Sequence, residues 1–311
     1  MRSASPNGVA AGLVDYNVAY ETNSPHGPKL RISAIRFLNP APLMWDFEHP
    51  PKQEWLSERY QIHLSMPSQC ATELADGTAD IGLVPVAAYA TTPGLAIIPG
   101  CAIASLDSVR SILLVVKHPE GLGAVRSVAA DTASRASNVY AQIVFRKFYG
   151  TDPAFLPHAP NLDIMLQDCD AAILIGDPAL LALEDQAARL ARTGQQLSYI
   201  DLAHEWKQHT GLPWVSAFWA VRPQAIADSG LRSSEVTDDF VQSRDHGMAH
   251  IEDLVREWAP RISVPAATIR AYLSHNIHYV LDEACVAGLE LFFRYAAECG
   301  ALPAAPPLRL L

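Results

Sequence analysis

Apolar residues in this chain gather into short, nearly unbroken runs rather than alternating strictly with polar ones. The clearest are LRISAI (30–35), DIGLVP (80–85), RSILLVV (110–116), VRSVAA (125–130), AFLP (154–157), DAAILIG (170–176) and WVSAFWAV (214–221). Runs of this kind, bounded by Gly, Pro, Asn or Asp, read as strands covered on both faces of a sheet. Between them lie helical segments: one ending at Met44 and Trp45, one over Pro67–Gly77 with Ser68 as its N-cap, and an amphipathic stretch from Ser134 to Tyr149 closed by Gly150. Strand, helix, strand is the order of a parallel sheet with helices on its faces, and it restarts near residue 120.

The pattern therefore predicts an α/β protein of two lobes. The first lobe is expected over 30–118 and 222–311, the second over 119–221, with 214–221 as the strand leading back to the first lobe before Pro223. Val236–Trp258 and Ala266–Cys299 carry apolar residues at three- and four-residue spacing, separated by Pro260 and Pro265, and should be helices packed on the first lobe. Residues 1–29, rich in Ser, Asn, Pro and Gly, are expected to be a disordered extension.

Composition narrows the class of partner. The chain has 311 residues, enough for two lobes, and half of them are hydrophobic. With 33 acidic against 23 basic residues and no basic tract, nucleic acid is excluded as an expected partner. The net charge of −10 does not exclude an anionic small molecule, because arginines and helix N-termini set the field inside a cleft. Five scattered cysteines without C-x-x-C spacing read as reduced thiols. Neither a secretory signal nor an apolar run of spanning length is evident, so a cytoplasmic protein that does not enter the membrane, monomeric or homodimeric, is expected.

Ligands of parallel α/β sheets bind beyond the carboxyl ends of strands. That rule selects Phe37–Pro40, Val84–Val86 with Pro85 at its centre, Asp131–Arg135, and Ile175–Pro178 with Gly176 and Asp177. DTASRAS (131–137) sets hydroxyls and backbone N–H groups where a helix begins, a fitting cradle for a carboxylate; an ordinary capped helix whose Arg135 pairs with a surface acid would look the same. Asn39, before a proline, can point its amide into the loop or serve the turn alone. Arg110 and Ser111 open a strand, where Arg110 either forks onto a carboxylate or forms a surface pair. His246 with His250, and His275 with His278, lack a third ligand, so no metal is expected, and Trp206, Trp214, Trp219 and Trp258 read as core. Nucleotide and serine-hydrolase motifs are missing.

Taken in order, RFLNPAPL (36–43), MPS (66–68), ADIGLVP (79–85), VRSILL (109–114), DTASRAS (131–137), IGDPA (175–179) and EW followed by TGLPW (205–214) resemble the chorismate dehydratase family of the futalosine route to menaquinone. The resemblance runs from about Leu30 through Arg222. It implies a type II periplasmic-binding-protein fold and a lyase that converts chorismate, a dicarboxylate, to 3-[(1-carboxyvinyl)oxy]benzoate by loss of water, without metal or organic cofactor. It further implies that Asn39 and Ser111 orient the reacting part of the substrate and that Thr132, Ala133 and Ser134 bind a carboxylate. Arg110, Arg135, Gly176, Asp177 and Pro85 would complete the substrate contacts. Val86 stands where the family carries a serine. A carboxylate-binding protein without catalysis and the sister 1,4-dihydroxy-6-naphthoate synthase share the fold; the sister enzyme should present a histidine base from the second lobe, and none matches at Gly176–Asp177.

Overall fold

The computed structural model describes residues 27–118, 120–131 and 135–311. Of the extension expected over 1–29, only 27–29 fall within the described residues. There the Gly27 N–H donates to the Ser229 carbonyl at 2.9 Å.

Strands follow in the order β1 (Leu30–Ile35), β2 (Tyr60–Ser65), β3 (Ile81–Pro85), β4 (Ala96–Ser105), β5 (Ile112–Val116), β6 (Ser127–Asp131), β7 (Ala154–His158), β8 (Ala171–Ile175), β9 (Ser198–Asp201) and β10 (Trp214–Val221). They form two five-stranded sheets, ordered β2-β1-β3-β10-β4 and β7-β6-β8-β5-β9. In the first, β1 runs parallel to β2 and β3, whereas β10 is antiparallel to both β3 and β4. The second repeats this plan: β6 is parallel to β7 and β8, and β5 is antiparallel to β8 and β9. Each sheet thus contains one inserted antiparallel strand, and that strand is the one delivered by the chain as it passes between lobes.

This plan moves the expected lobe boundary. β5, placed by sequence at the end of the first lobe, belongs to the second sheet, so the chain crosses over 106–111. β10 lies in the first sheet, so 214–221 leave the span expected for the second lobe. A wholly buried apolar run such as β5 states that both faces are covered, but the sheet it joins is decided by which neighbouring strands offer unpaired N–H and C=O groups.

Local chemistry explains the other departures. The helix over Pro67–Asp76 starts with Met66, not Ser68, in the N-cap position, since Pro67 at the first helical turn has no N–H to satisfy. Gln69 Oε1 accepts the Met66 N–H at 2.9 Å. The stretch from Arg135 is α-helical to Ile143 and continues as a wider π turn over Val144–Tyr149 up to Gly150. The C-terminal region divides into helices Ser233–Ala249, Ile251–Trp258, Ala266–Ala271 and Glu283–Glu298. Ser233–Ala249 packs on the turns over 41–48 and on β4, in the first lobe. Glu283–Glu298 packs on β10 and also on helix Arg135–Ile143, so it touches both lobes. The chain end covers the free edge of β4, with the Leu311 N–H donating to the Ile97 carbonyl at 2.9 Å.

Candidate functional site

A cleft lies between the two sheets and holds about 750 Å³ of empty space, its open mouth included. Its floor and walls come from the carboxyl ends of β1, β3 and β8 and from both passages of the chain between lobes. Apolar walls are supplied by Ile35, Phe37, Ile103, Ile112, Ile175 and Trp214. Polar groups are few: Asn39 after β1, Ser111 at the end of the first passage, Ser137 on helix Arg135–Ile143, and Ser216 in β10. Among the described residues that line it, none carries an ionisable side chain.

The first passage is held rigidly. The Asp201 carboxylate accepts the backbone N–H groups of Val109 (3.3 Å) and Arg110 (2.6 Å) while capping helix Leu202–Thr210 through Ala203 (3.0 Å) and His204 (3.2 Å). Burial pushes the Asp201 carboxyl up from its usual range, against the pull of these hydrogen bonds. Arg110 adopts a φ of 62°, a left-handed conformation that costs a non-glycine residue about 1 kcal/mol or more and persists because the carboxylate fixes it. Immediately after it, the Ser111 carbonyl accepts the Gly176 N–H (2.8 Å) and the Ser111 hydroxyl meets the Tyr272 hydroxyl (2.8 Å). One residue thereby joins the first passage, the turn after β8 and the C-terminal region.

Of the ten residues that the resemblance assigns to the reaction or to substrate contact, Asn39, Pro85, Ser111 and Gly176 line this cleft. The half-buried Asn39 amide makes no hydrogen bond to a described residue. Arg110 does not line the cleft; its guanidinium lies 3.5 Å from the Glu184 carboxylate and its Nε is buried without a partner. Arg135 is exposed at the start of its helix, and Asp177, whose carboxyl burial pushes up, stands beside the lining without forming it. Thr132, Ala133 and Ser134 lie outside the described residues.

Sequence reasoning missed Ser216 and Tyr272 and read Trp214 as core alone. One signal was available for Ser216: it is the single polar residue between Trp214 and Val221. No sequence feature marks Tyr272, whose partner is 161 residues away. His278, Asp282 and Cys285 bring potential metal-ligand atoms within 4.8 Å of one another. Helix capping accounts for that grouping, because Asp282 accepts the Cys285 N–H (2.8 Å) and pairs with His278 (3.0 Å).

The sequence model of the menaquinone biosynthesis family matches residues 30–298. This chain belongs to that family. A chorismate dehydratase from Thermus thermophilus is 27% identical over 257 residues, covering 80% of this chain and 90% of the relative. The resemblance read from the ordered motifs is thus borne out, and family membership gives the protein a role in menaquinone biosynthesis. Solved structures support the fold. A protein from Archaeoglobus fulgidus aligns with a TM-score of 0.64 at 16% identity, over 88% of this chain and 98% of its own. The periplasmic aliphatic sulphonate binding protein SsuA from Escherichia coli aligns with a TM-score of 0.60 at 16% identity, over 91% and 94%. A Candida albicans protein described as having the generic periplasmic binding protein fold aligns with a TM-score of 0.59 at 11% identity, over 90% and 92%. The family member described here therefore has the two-lobed periplasmic-binding-protein fold. Among its described residues no helix is long and apolar enough to cross a membrane.

Proposed function

We propose that this protein is a chorismate dehydratase, removing water from chorismate to give 3-[(1-carboxyvinyl)oxy]benzoate. The observation that carries the reading is a cleft whose described lining offers neutral hydroxyls and an amide on apolar walls, in a chain of the menaquinone biosynthesis family. Loss of the C3 proton and the C4 hydroxyl makes the ring aromatic, so the substrate supplies much of the driving force. What remains for the protein is to exclude water, orient the leaving groups and donate hydrogen bonds. Asn39 and Ser111 orient the reacting part, and the enolpyruvyl carboxylate of the substrate takes the C3 proton, which leaves with the C4 hydroxyl as water. The loop at Thr132, Ala133 and Ser134, next to Arg135, would receive a substrate carboxylate, with Pro85 and Gly176 as backbone walls. Arg110 and Asp177 act on the shape of the rim.

Purified protein incubated with saturating chorismate should release one aromatic product per substrate consumed; chorismate recovered unchanged sinks the proposal. Asn39→Ala and Ser111→Ala should each lower kcat by about tenfold or more while retaining binding, as expected for groups whose hydrogen bonds strengthen toward the transition state. The likeness to sulphonate-binding proteins favours one second reading, capture of an anion without chemistry. Tight binding of chorismate with no turnover would establish it instead.

A further inference from the structure

We propose that Ser216 is a substrate-contacting hydroxyl of the cleft, aimed by the Trp214 indole to donate a hydrogen bond to a carboxylate or ether oxygen of the ligand. The claim rests on the dehydratase reading for the identity of that ligand. Three observations carry it.

Ser216 and Ala217 both line the cleft, although neighbours in a regular strand point to opposite faces. The pairing of β10 with β4 explains this. Val215 lies opposite Ala104 and Ala217 opposite Ile103, so Ser216 is an extra residue without a partner of its own. Such a bulge locally turns the pleat and re-aims a side chain, and bulges gather beside active sites.

The Trp214 Nε1–H donates to Ser216 Oγ at 2.7 Å. An indole N–H is only a donor, so the serine oxygen must be the acceptor, and the serine keeps its own proton to give. No described residue accepts that proton. A donor left unsatisfied is unfavourable once water is excluded, which makes a ligand oxygen the fitting acceptor in a closed cleft.

The aiming device is itself fixed. Trp214 stacks on Tyr140 with ring centroids 3.4 Å apart and planes 21° apart. Tyr140, buried on helix Arg135–Ile143 of the second lobe, donates its hydroxyl to the Val215 carbonyl at 3.0 Å. The two residues that precede the serine are therefore clamped from behind, leaving its hydroxyl facing the cleft.

Ser216→Ala, Ser216→Thr, Trp214→Phe and the Ser216→Ala/Trp214→Phe pair should be compared with the wild type for chorismate turnover and for chorismate binding by tryptophan fluorescence. Ser216→Ala is expected to lose about ten- to hundredfold in kcat/KM with an unchanged thermal midpoint, and Ser216→Thr to recover most of the loss. Trp214→Phe should cost less activity in the Ser216→Ala background than in the wild type, the non-additivity expected if the indole acts through the serine. A Ser216→Ala enzyme within about twofold of an active wild type overturns the proposal. A wild type inert toward chorismate overturns the dehydratase reading instead. The binding arm then decides for Ser216: weaker binding by Ser216→Ala supports it, equal binding refutes it, and a wild type that does not bind chorismate refutes both.

Discussion

Ser111 reaches the cleft with its geometry already set from behind. Tyr272 is fully buried, and burial pushes its hydroxyl well above the usual range, so it stays protonated. Its proton has Ser111 Oγ as acceptor; the reverse arrangement would leave a buried phenolic proton without one, at a cost of about 1–3 kcal/mol. Ser111 thus accepts from Tyr272 and keeps its own proton for the cleft. Tyr272→Phe is expected to lower kcat by about tenfold with little change in KM, and steady-state kinetics with chorismate will check it; unchanged kcat would assign Tyr272 to packing alone. Asn39, Pro85 and Gly176 were legible in the sequence because the ends of strands mark ligand loops, whereas Ser111, just before β5, was singled out by the motif resemblance. Tyr272 and the aim of Ser216 were not, since each depends on contacts that neither local pattern nor spacing encodes.

At the scale of elements, the site is held by close helix contacts that only glycine permits. A Cβ on Gly288 would stand 2.5 Å from the Pro213 carbonyl oxygen, just before β10 begins at Trp214. One on Gly247 would stand 2.0 Å from the Pro42 carbonyl oxygen, beneath the turn that follows Asn39. Alanine improves helix propensity by about 1 kcal/mol, but overpacking against backbone costs about 1–3 kcal/mol, so the clash should win. Gly288→Ala is expected to lower stability in urea unfolding and to weaken chorismate binding by displacing Trp214 and Ser216. Buried runs declared most strands in advance. β2 was overlooked because, as an edge strand, it alternates Tyr60, Ile62 and Leu64 with polar residues in a short span. The last helix was expected to be continuous from Ala266; its interruption around His278 comes from pairing with Ala104 of β4, a tertiary contact.

For the whole molecule, the returning chain must be tied to the lobe it left. Asp80, just before β3, accepts the Arg31 N–H at 2.9 Å and the Arg31 side chain at 2.8 and 2.7 Å, and lies 3.6 Å from Arg222 at the end of β10. Burial pushes its carboxyl up, but the Arg31 hydrogen bonds and the two guanidinium charges hold it below the ordinary 3.8. A depressed folded-state value means that the unfolded chain binds the proton more readily. The stabilisation is therefore complete above the ordinary value and is lost as pH falls through the folded one. Asp80→Asn should be less stable than wild type at about pH 7, with the deficit shrinking toward about pH 2, measured by denaturant unfolding at both. By itself the sequence determined the α/β class, the family, and which strand ends carry polar groups, because burial of short apolar runs and turn chemistry are local properties. Only the tertiary structure decided that β5 joins the second sheet, that Arg110 turns to Glu184, and that Tyr272 and Trp214 aim two serines into one cleft. Those outcomes depend on which distant surfaces meet, and a linear pattern of hydrophobicity does not specify its partner.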